Sequence, residues 1–160
     1  MGGERGRGAQ TQQIDHQDRG CFKCGRCKVA CPVLKETNTF QSTNTGRKYK
    51  IKERLECTSD WVIYLITCLK CRGQYIGKSK TSFKVRHSNH KVEIRNQRGG
   101  LGQHYGGPGG CGYQNVSITL IEQVRKKNMK FLADRELFWQ HQLRGYVENG
   151  HNAHCKKKEF

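Results

Sequence analysis

The hydrophobic positions of the chain are concentrated between Trp61 and Leu143, and their spacing predicts three β-strands. The run WVIYLITC at residues 61–68 is continuously apolar and rich in β-branched and aromatic residues, which is typical of a buried strand. QYIG, at residues 74–77, follows after a few residues that include a glycine, so the two runs predict an antiparallel hairpin. VSITLIEQV alternates and predicts a third strand at about residues 116–122.

Two further segments have helical periodicity. Residues 82–97 predict a helix with Thr81 or Ser82 as its N-cap. Its recurring inward positions are Phe83, His87, His90 and Ile94. KFLADRELFWQHQL, residues 130–143, predicts a second helix that Gly145 ends. The expected apolar face of that helix consists of Phe131, Leu132, Trp139 and Leu143. Residues 99–112 contain eight glycines and are expected to be a loop.

The rest of the chain is poor in apolar residues. Residues 1–20 carry almost none and predict a disordered leader. Residues 21–57 form a basic, cysteine-rich segment that cannot bury a core alone. Its only candidate strand or packing residues are Tyr49, Ile51 and Leu55. We therefore expect a main domain at residues 58–155, of the mixed α/β (α+β) class, and a basic tail at residues 156–160.

Composition and charge narrow the class of protein. No stretch approaches the roughly 18 apolar residues of a membrane span, and the first twenty residues lack the apolar core of a signal peptide. The net charge is +17, and residues 21–98 carry 18 Lys and Arg against five Asp and Glu, a local net charge of +13. Such a field attracts polyanions, so we expect an intracellular protein that binds nucleic acid. The alternative is a basic surface that serves only solubility.

Nine cysteines in a reducing compartment suggest metal binding rather than disulfides. The upstream run spaces Cys21, Cys24, Cys27 and Cys31 as in a bacterial ferredoxin, with Pro32 after the fourth. An iron–sulfur cluster is therefore one interpretation, but the basic charge and the missing second run favour a zinc knuckle. Together with Cys57 they make five candidate ligands, and we expect four of the five to bind one zinc ion. Cys24, Cys27 and Cys57 are favoured, and the fourth ligand is left open.

Between Val62 and Gly77 the sequence resembles a known family. VIY at residues 62–64, YIG at residues 75–77 about ten residues later, Arg86 and His90 one helical turn apart, and Glu136 in a later helix resemble the GIY-YIG nucleases. Val62 stands where that family has its first glycine. The resemblance spans roughly residues 61–152.

Within that family, the chain is most similar to the endonuclease domain of Penelope-like retroelements. That group carries a cysteine pair between the two tripeptides, matched here by Cys68 and Cys71. The GCFKCGRC segment also resembles that group. The resemblance implies a three-stranded antiparallel sheet flanked by helices and a DNA endonuclease that uses one divalent metal ion.

The family's catalytic residues map onto this sequence one by one. The resemblance implies that one of Tyr64 and Tyr75 accepts the proton of the attacking water while the other positions the phosphate. Arg86 would clamp the scissile phosphate, and His90 would act as a phosphate donor or proton shuttle. Glu136 would ligate Mg²⁺ or Mn²⁺. The family's late asparagine is assigned to Asn152, with Asn149 as the alternative. The expected DNA contacts are Lys78, Lys80, Lys84, Lys91 and Arg95.

The cysteine pair also implies a second zinc site. In the resembled group two histidines after the first helix complete it. Here His104 and Cys111 take those positions, so the site is expected to be Cys68, Cys71, His104 and Cys111. The competing ligands are His87, His151, His154 and Cys155.

The sequence thus predicts a nuclear, metal-dependent DNA nickase with structural zinc. By the resemblance, its nick would supply the 3′ hydroxyl that primes reverse transcription of a retroelement. RNA and a reverse transcriptase, on a separate or parent chain, are further expected partners. The alternative is a non-catalytic, zinc-dependent module that binds DNA or RNA.

Overall fold

The computed structural model describes residues 18–147, with side chains up to residue 145. In chain order the strands are β1 (Gly20–Phe22), β2 (Thr39–Gln41), β3 (Lys48–Lys50), β4 (Arg54–Glu56), β5 (Val62–Cys68), β6 (Gln74–Ser79), β7 (Val116–Gln123) and β8 (Tyr146–Val147). The helices are α1 (Phe83–Arg95), α2 (Gly99–Tyr105) and α3 (Met129–Leu143). The mixed α/β class is confirmed.

The central sheet has the strand order β7-β5-β6-β8. β5 is antiparallel to both neighbours, so the hairpin and the three-stranded antiparallel sheet are confirmed. β6 continues two residues beyond Gly77, to Ser79. The two-residue strand β8 adds parallel to β6, a pairing that the sequence did not predict.

The sheet register places Tyr64 and Tyr75 on one face. Tyr64 lies opposite Gly77 and Tyr75 lies opposite Ile66, and side chains alternate between faces along a strand. α1 covers this face, because the ring of Phe83 packs edge-on against Tyr64 with centroids 5.2 Å apart. Ser82 caps α1 by accepting a hydrogen bond from the backbone N–H of Val85.

The glycine-rich segment was expected to be a loop, and this is wrong for residues 99–105, which form α2. Glycine is needed in α2 because this helix approaches the end of α1 closely. A Cβ at Gly102 would lie 2.6 Å from the backbone of Glu93 and Gln97, at the end of α1. This tertiary contact outweighs the low helix propensity of the glycines in α2. As a result, α2 brings His104 onto the sheet.

α3 is confirmed, but part of its inward face was misassigned. The buried stripe contains Leu132, Glu136 and Leu143, whereas Phe131 is 37% exposed. Phe131 lies on the stripe of α3 beside the buried one. The helix ends on Arg144 in the left-handed conformation (φ 52°), not on Gly145.

Gly145 has a packing role instead. A Cβ there would lie 2.5 Å from Cδ1 of Ile76 and 3.1 Å from the carbonyl oxygen of Gln74, both on β6. The absence of a side chain lets the chain return to the sheet directly after α3.

The cysteine-rich segment contributes two small sheets. β1 pairs in parallel with β4, and β2 pairs with β3 as an antiparallel hairpin. Ile51 and Leu55 are buried as expected. Phe40 was missed: it is 5% exposed and stacks on Tyr49.

The same segment shares its hydrophobic core with the central sheet. Trp139 of α3 meets the rings of Phe40 and Tyr49 edge-on, each at 5.2 Å between centroids. The sequence-based division at residues 57 and 58 stays a prediction.

Several sequence predictions fall on residues outside the described range. They are the leader before residue 18, Asn149, Asn152, the ligand candidates His151, His154 and Cys155, and the tail at residues 156–160. Of the leader's last residues, Gly20 already belongs to β1. Within residues 18–147, no helix has the length and apolar character needed to cross a membrane.

Candidate active site and metal clusters

Two of the predicted catalytic residues on α1 contact the hydroxyl of Tyr64. It lies 2.6 Å from Nε2 of His90 and accepts a hydrogen bond from Nε of Arg86 at 3.4 Å. Arg86 and His90 are four residues apart on α1, so they lie on the same helix face. Tyr64 is 0% exposed and His90 is 1% exposed. The structure therefore brings these three predicted residues together, and we call them the Tyr64 group.

Glu136 lies in an ion pair with Lys78. Nζ of Lys78 is 2.9 Å from Oε1 of Glu136, and the carboxylate is nearly buried. Lys78 pairs with Ile63 in the sheet, next to the Tyr64–Gly77 pair, so its side chain leaves the sheet on the face opposite to Tyr64. Lys78, predicted as a DNA contact, thus binds the acid that was predicted to ligate the catalytic metal.

Tyr75 lies elsewhere on the same sheet face as Tyr64. Its hydroxyl is hydrogen-bonded to Nδ1 of His104, and the two ring centroids are 4.9 Å apart. The two predicted tyrosines therefore have different partners: Tyr64 contacts Arg86 and His90, whereas Tyr75 contacts a candidate metal ligand.

The predicted second metal site is assembled, and we call it the hairpin cluster. It consists of Cys68, Cys71, His104 and Cys111, whose ligand atoms all lie within 4.8 Å of one another. Cys68 ends β5, Cys71 lies in the following turn, and α2 and its C-terminal loop supply the other two. Three thiols and one imidazole can hold a tetrahedral metal ion and are compatible with zinc.

Ionisation of the hairpin cluster is favoured by its own hydrogen bonds. Burial opposes the charged form of Cys68, but bonds to His104 and to the backbone amides of Lys70 and Cys71 outweigh it and lower the pKa of Cys68 to about 6. Thiolate is the form that binds metal.

His87 does not join the hairpin cluster. Its Nε2 lies 2.7 Å from the hydroxyl of Tyr113, and its ring stacks on Phe83. His87, which the sequence offered as a competing ligand, is therefore a buried histidine that is hydrogen-bonded to a tyrosine.

The upstream cysteines form a second group, which we call the knuckle cluster. Cys24, Cys31 and Cys57 bring their sulfur atoms within 4.8 Å of one another. The sequence favoured Cys24, Cys27 and Cys57 and left the fourth ligand open, whereas here Cys31 joins Cys24 and Cys57. The short 3-10 helix at Cys31–Val33 turns the Cys31 thiol toward Cys24, with the sulfurs 3.4 Å apart.

Cys27 and Cys21 have different surroundings. The backbone N–H of Cys27 bonds the sulfur of Cys24 at 3.3 Å, and the sulfur of Cys27 accepts the N–H of Ala30 at 3.1 Å. Cys27 thus stays close to the cluster, although its sulfur does not belong to the set within 4.8 Å. Cys21 is fully buried and accepts the N–H of Leu120 on β7, so it belongs to the core and not to the cluster.

The pKa values of two thiols in the knuckle cluster are shifted in opposite directions. Hydrogen bonds from the backbone of Arg26, then from Cys31 and Cys57, lower the pKa of Cys24 to about 7. Burial raises the pKa of Cys57. A divalent cation would compensate the cost of ionising the buried sulfur.

The knuckle cluster is attached directly to the start of α1. The carbonyl of Cys57 accepts the N–H of Lys84 at 2.8 Å, and the carbonyl of Ser59 accepts the N–H of Phe83 at 3.0 Å. The position of Arg86 and His90 therefore depends on Cys57.

The remaining predicted DNA contacts lie on or near α1. Lys84, Lys91 and Arg95 share a stripe of the helix, with Lys84 and Arg95 exposed. Nζ of Lys91 lies 5.4 Å above the ring of Tyr113. Lys80 is exposed just before the helix. Lys84, Lys91 and Arg95 therefore form a basic surface along one side of α1. Their contact with DNA stays a prediction.

Comparisons of the chain with protein-family models, with curated proteins and with solved structures find no match.

Proposed function

We propose that the chain is a metal-dependent DNA endonuclease of the GIY-YIG type that nicks one strand. The observation that carries this proposal is the Tyr64 group, in which a cationic guanidinium and an imidazole converge on one buried hydroxyl. The nearly buried carboxylate of Glu136, which is ion-paired with Lys78, is the acid that such a site requires.

Phosphodiester hydrolysis needs a deprotonated water and stabilisation of charge on the phosphoryl oxygens. A tyrosine with its ordinary pKa of about 10 is a weak base. Arg86 beside the Tyr64 hydroxyl favours the phenolate, and Nε2 of His90 can take the hydroxyl proton directly. Tyr64 would then accept the proton of the attacking water.

Arg86 would also bind the scissile phosphate. Tyr64 is fully buried whereas Arg86 is half-buried, so a phosphate approaches the hydroxyl from the side that the guanidinium covers. The planar fork of arginine binds two phosphate oxygens at once. Substrate binding would thus draw Arg86 toward the phosphate and open the path to Tyr64.

Glu136 fits a site for Mg²⁺ or Mn²⁺. It offers one nearly buried carboxylate, and magnesium sites are commonly built from one or two carboxylates with waters and substrate phosphates. When bound, such an ion stabilises charge on the phosphate and on the leaving oxygen. Lys78 holds the Glu136 carboxylate in place through their ion pair.

The hairpin and knuckle clusters would bind structural zinc, with Cys27 as the fourth ligand of the knuckle cluster. The basic surface on α1 would bind the DNA backbone. A nick by this protein would act on nuclear DNA and prime reverse transcription for a retroelement, with RNA and a reverse transcriptase as partners.

Conversion of supercoiled plasmid to open circle in Mg²⁺ tests the activity. Glu136→Gln should lower the nicking rate about 100-fold or more, because the variant loses the charged metal ligand. Asp134→Asn is the matched control, since it removes an exposed acid from the same helix, and it should nick within about twofold of the wild type. Equal rates for the wild type and Glu136→Gln would contradict the metal assignment.

A non-catalytic, zinc-dependent nucleic-acid-binding module is the second candidate. It is favoured by the closed state of the site, in which Tyr64 is buried and Glu136 is ion-paired. Zinc-loaded protein that binds DNA in a gel-shift assay but never produces open circles would establish it in place of the nuclease.

A further inference from the structure

Tyr75 lies in the YIG tripeptide, yet its hydroxyl meets His104 of the hairpin cluster. We propose that Tyr75 is a positioning residue, which fixes the ring and the tautomer of His104 for metal binding. The inference rests on the structural zinc site of the proposed function, and it gives the two family tyrosines separate tasks.

The two nitrogens of His104 face different groups. Nε2 lies 3.4 Å from the sulfur of Cys71 and belongs to the set of four converging ligand atoms. Nδ1, on the other side of the ring, meets the hydroxyl of Tyr75. His104 therefore presents Nε2 to the cluster and Nδ1 to the sheet.

Metal binding then fixes the proton on His104. A histidine binds a metal ion through an unprotonated nitrogen, so Nε2 must carry the free lone pair and Nδ1 the hydrogen. Nδ1–H donates to the oxygen of Tyr75. Such a partner on the far nitrogen holds the imidazole in orientation and makes it a better ligand.

The surroundings of Tyr75 suit this task. The residue is 0% exposed, and its ring also packs near Tyr105, the residue after His104, at 6.4 Å between centroids. β6 is a central strand of the sheet, paired with β5 on one side and β8 on the other. A rigid strand thus provides the hydroxyl, whereas the ligand it orients is carried by the glycine-rich helix α2, whose intrinsic stability is low.

The metal affinity of Tyr75→Phe tests the proposal. Cadmium stands in for zinc, because cadmium NMR gives each cluster its own resonance and lets withdrawal by a chelator be followed at each one. Loss of a partner that orients a metal-binding histidine costs about 10–100-fold in metal affinity, so the hairpin cluster should weaken by that factor and the knuckle cluster should not change. Unchanged affinity at the hairpin cluster would overturn the proposal.

Tyr64→Phe is the matched control. It removes the same atom from the same sheet face, but it should leave the metal affinity of both clusters within about twofold and instead lower nicking. The metal measurement does not depend on nicking, so a protein that binds metal as described but never nicks DNA would refute the nuclease and leave the role of Tyr75 intact.

A second variant distinguishes a specific effect of Tyr75 on His104 from a general loss of folding. His104→Cys keeps four ligands but has no Nδ1, so Tyr75→Phe added to it should change metal affinity less than about twofold. A tenfold loss in that background would mean that Tyr75 supports the fold rather than His104. Long-range proton–nitrogen NMR of the zinc-loaded wild type should show hydrogen on Nδ1 of His104, and hydrogen on Nε2 would contradict the proposal.

Discussion

Gly102→Ala tests the contact between α1 and α2. Gly102 lies in α2 with ordinary helical geometry, so alanine suits its backbone. The added Cβ, however, would lie 2.6 Å from the carbonyl oxygen of Glu93 and from the carbonyl carbon of Gln97, and 3.0 Å from Cα of Gln97. These are backbone atoms, which cannot turn away as a side chain can.

Two opposing free energies decide the result. Alanine stabilises a helix by about 1 kcal/mol relative to glycine. Overpacking of a close contact costs about 1–3 kcal/mol, and the upper value applies where backbone must move. In an exposed helix, a change from glycine to alanine would give only the gain in helix stability. The sign of the change in unfolding free energy therefore shows whether the close contact exists. We expect a net destabilisation of about 2 kcal/mol, or about 4–8 °C in Tm for a chain of this size.

Urea and thermal unfolding at a fixed zinc concentration measure this difference. Gln103→Ala is the control, since Gln103 is exposed on the same helix and its replacement should change stability by less than about 0.5 kcal/mol. If Gly102→Ala instead gains about 1 kcal/mol, α2 does not pack against α1 and the close-approach explanation of its glycines is wrong.

Three further predictions concern His87, Cys57 and Arg86. Burial lowers the pKa of His87 from 6.5 to about 4, so the unfolded chain binds more protons between these values and stability falls by about 3 kcal/mol as pH drops through that window. Urea unfolding of His87→Gln should lack this part of the fall, and an unchanged pH profile would contradict it. Cys57→Ser should bind one zinc ion fewer per chain by metal analysis, because it removes a ligand of the knuckle cluster; full zinc content would exclude Cys57. Arg86→Lys should lower nicking more than tenfold with DNA affinity within about threefold, since lysine lacks the planar fork; equal losses in both would make Arg86 a simple DNA contact.

The elements set by local pattern were predictable, whereas those set by tertiary contact were not. The apolar run of β5 and the alternation of β7 need no knowledge of the rest of the chain. α2 was missed because propensity disfavours a helix with three glycines in seven residues, and only its fit against the end of α1 stabilises it. Phe40 was missed for the same reason, since its partners Tyr49 and Trp139 are distant in the sequence.

The site was predictable to the level of residue type. The spacing of the cysteines alone indicates metal binding, whereas His104 and Cys111 were expected as ligands only from the family resemblance. The choice of Cys31 over Cys21 depends on a turn and on the pairing of β1 with β4, which carries Cys21 into the core. The bond between Tyr75 and His104 joins residues 29 positions apart, and no local signal marks it.

The two clusters hold the two ends of α1. Its first turn is bonded to the carbonyl of Cys57 in the knuckle cluster, and its last turn packs against α2, which carries His104 of the hairpin cluster. Arg86 and His90 reach Tyr64 from this helix, and a rotation equal to one residue, about 100°, would turn both away. Neither cluster contains a residue of the Tyr64 group, yet the orientation of α1 depends on both. If the clusters bind metal as proposed, metal removal should therefore disturb the Tyr64 group without removing any atom from it. In a chain with only 34% hydrophobic residues, bound metal would supplement the apolar packing that fixes this helix.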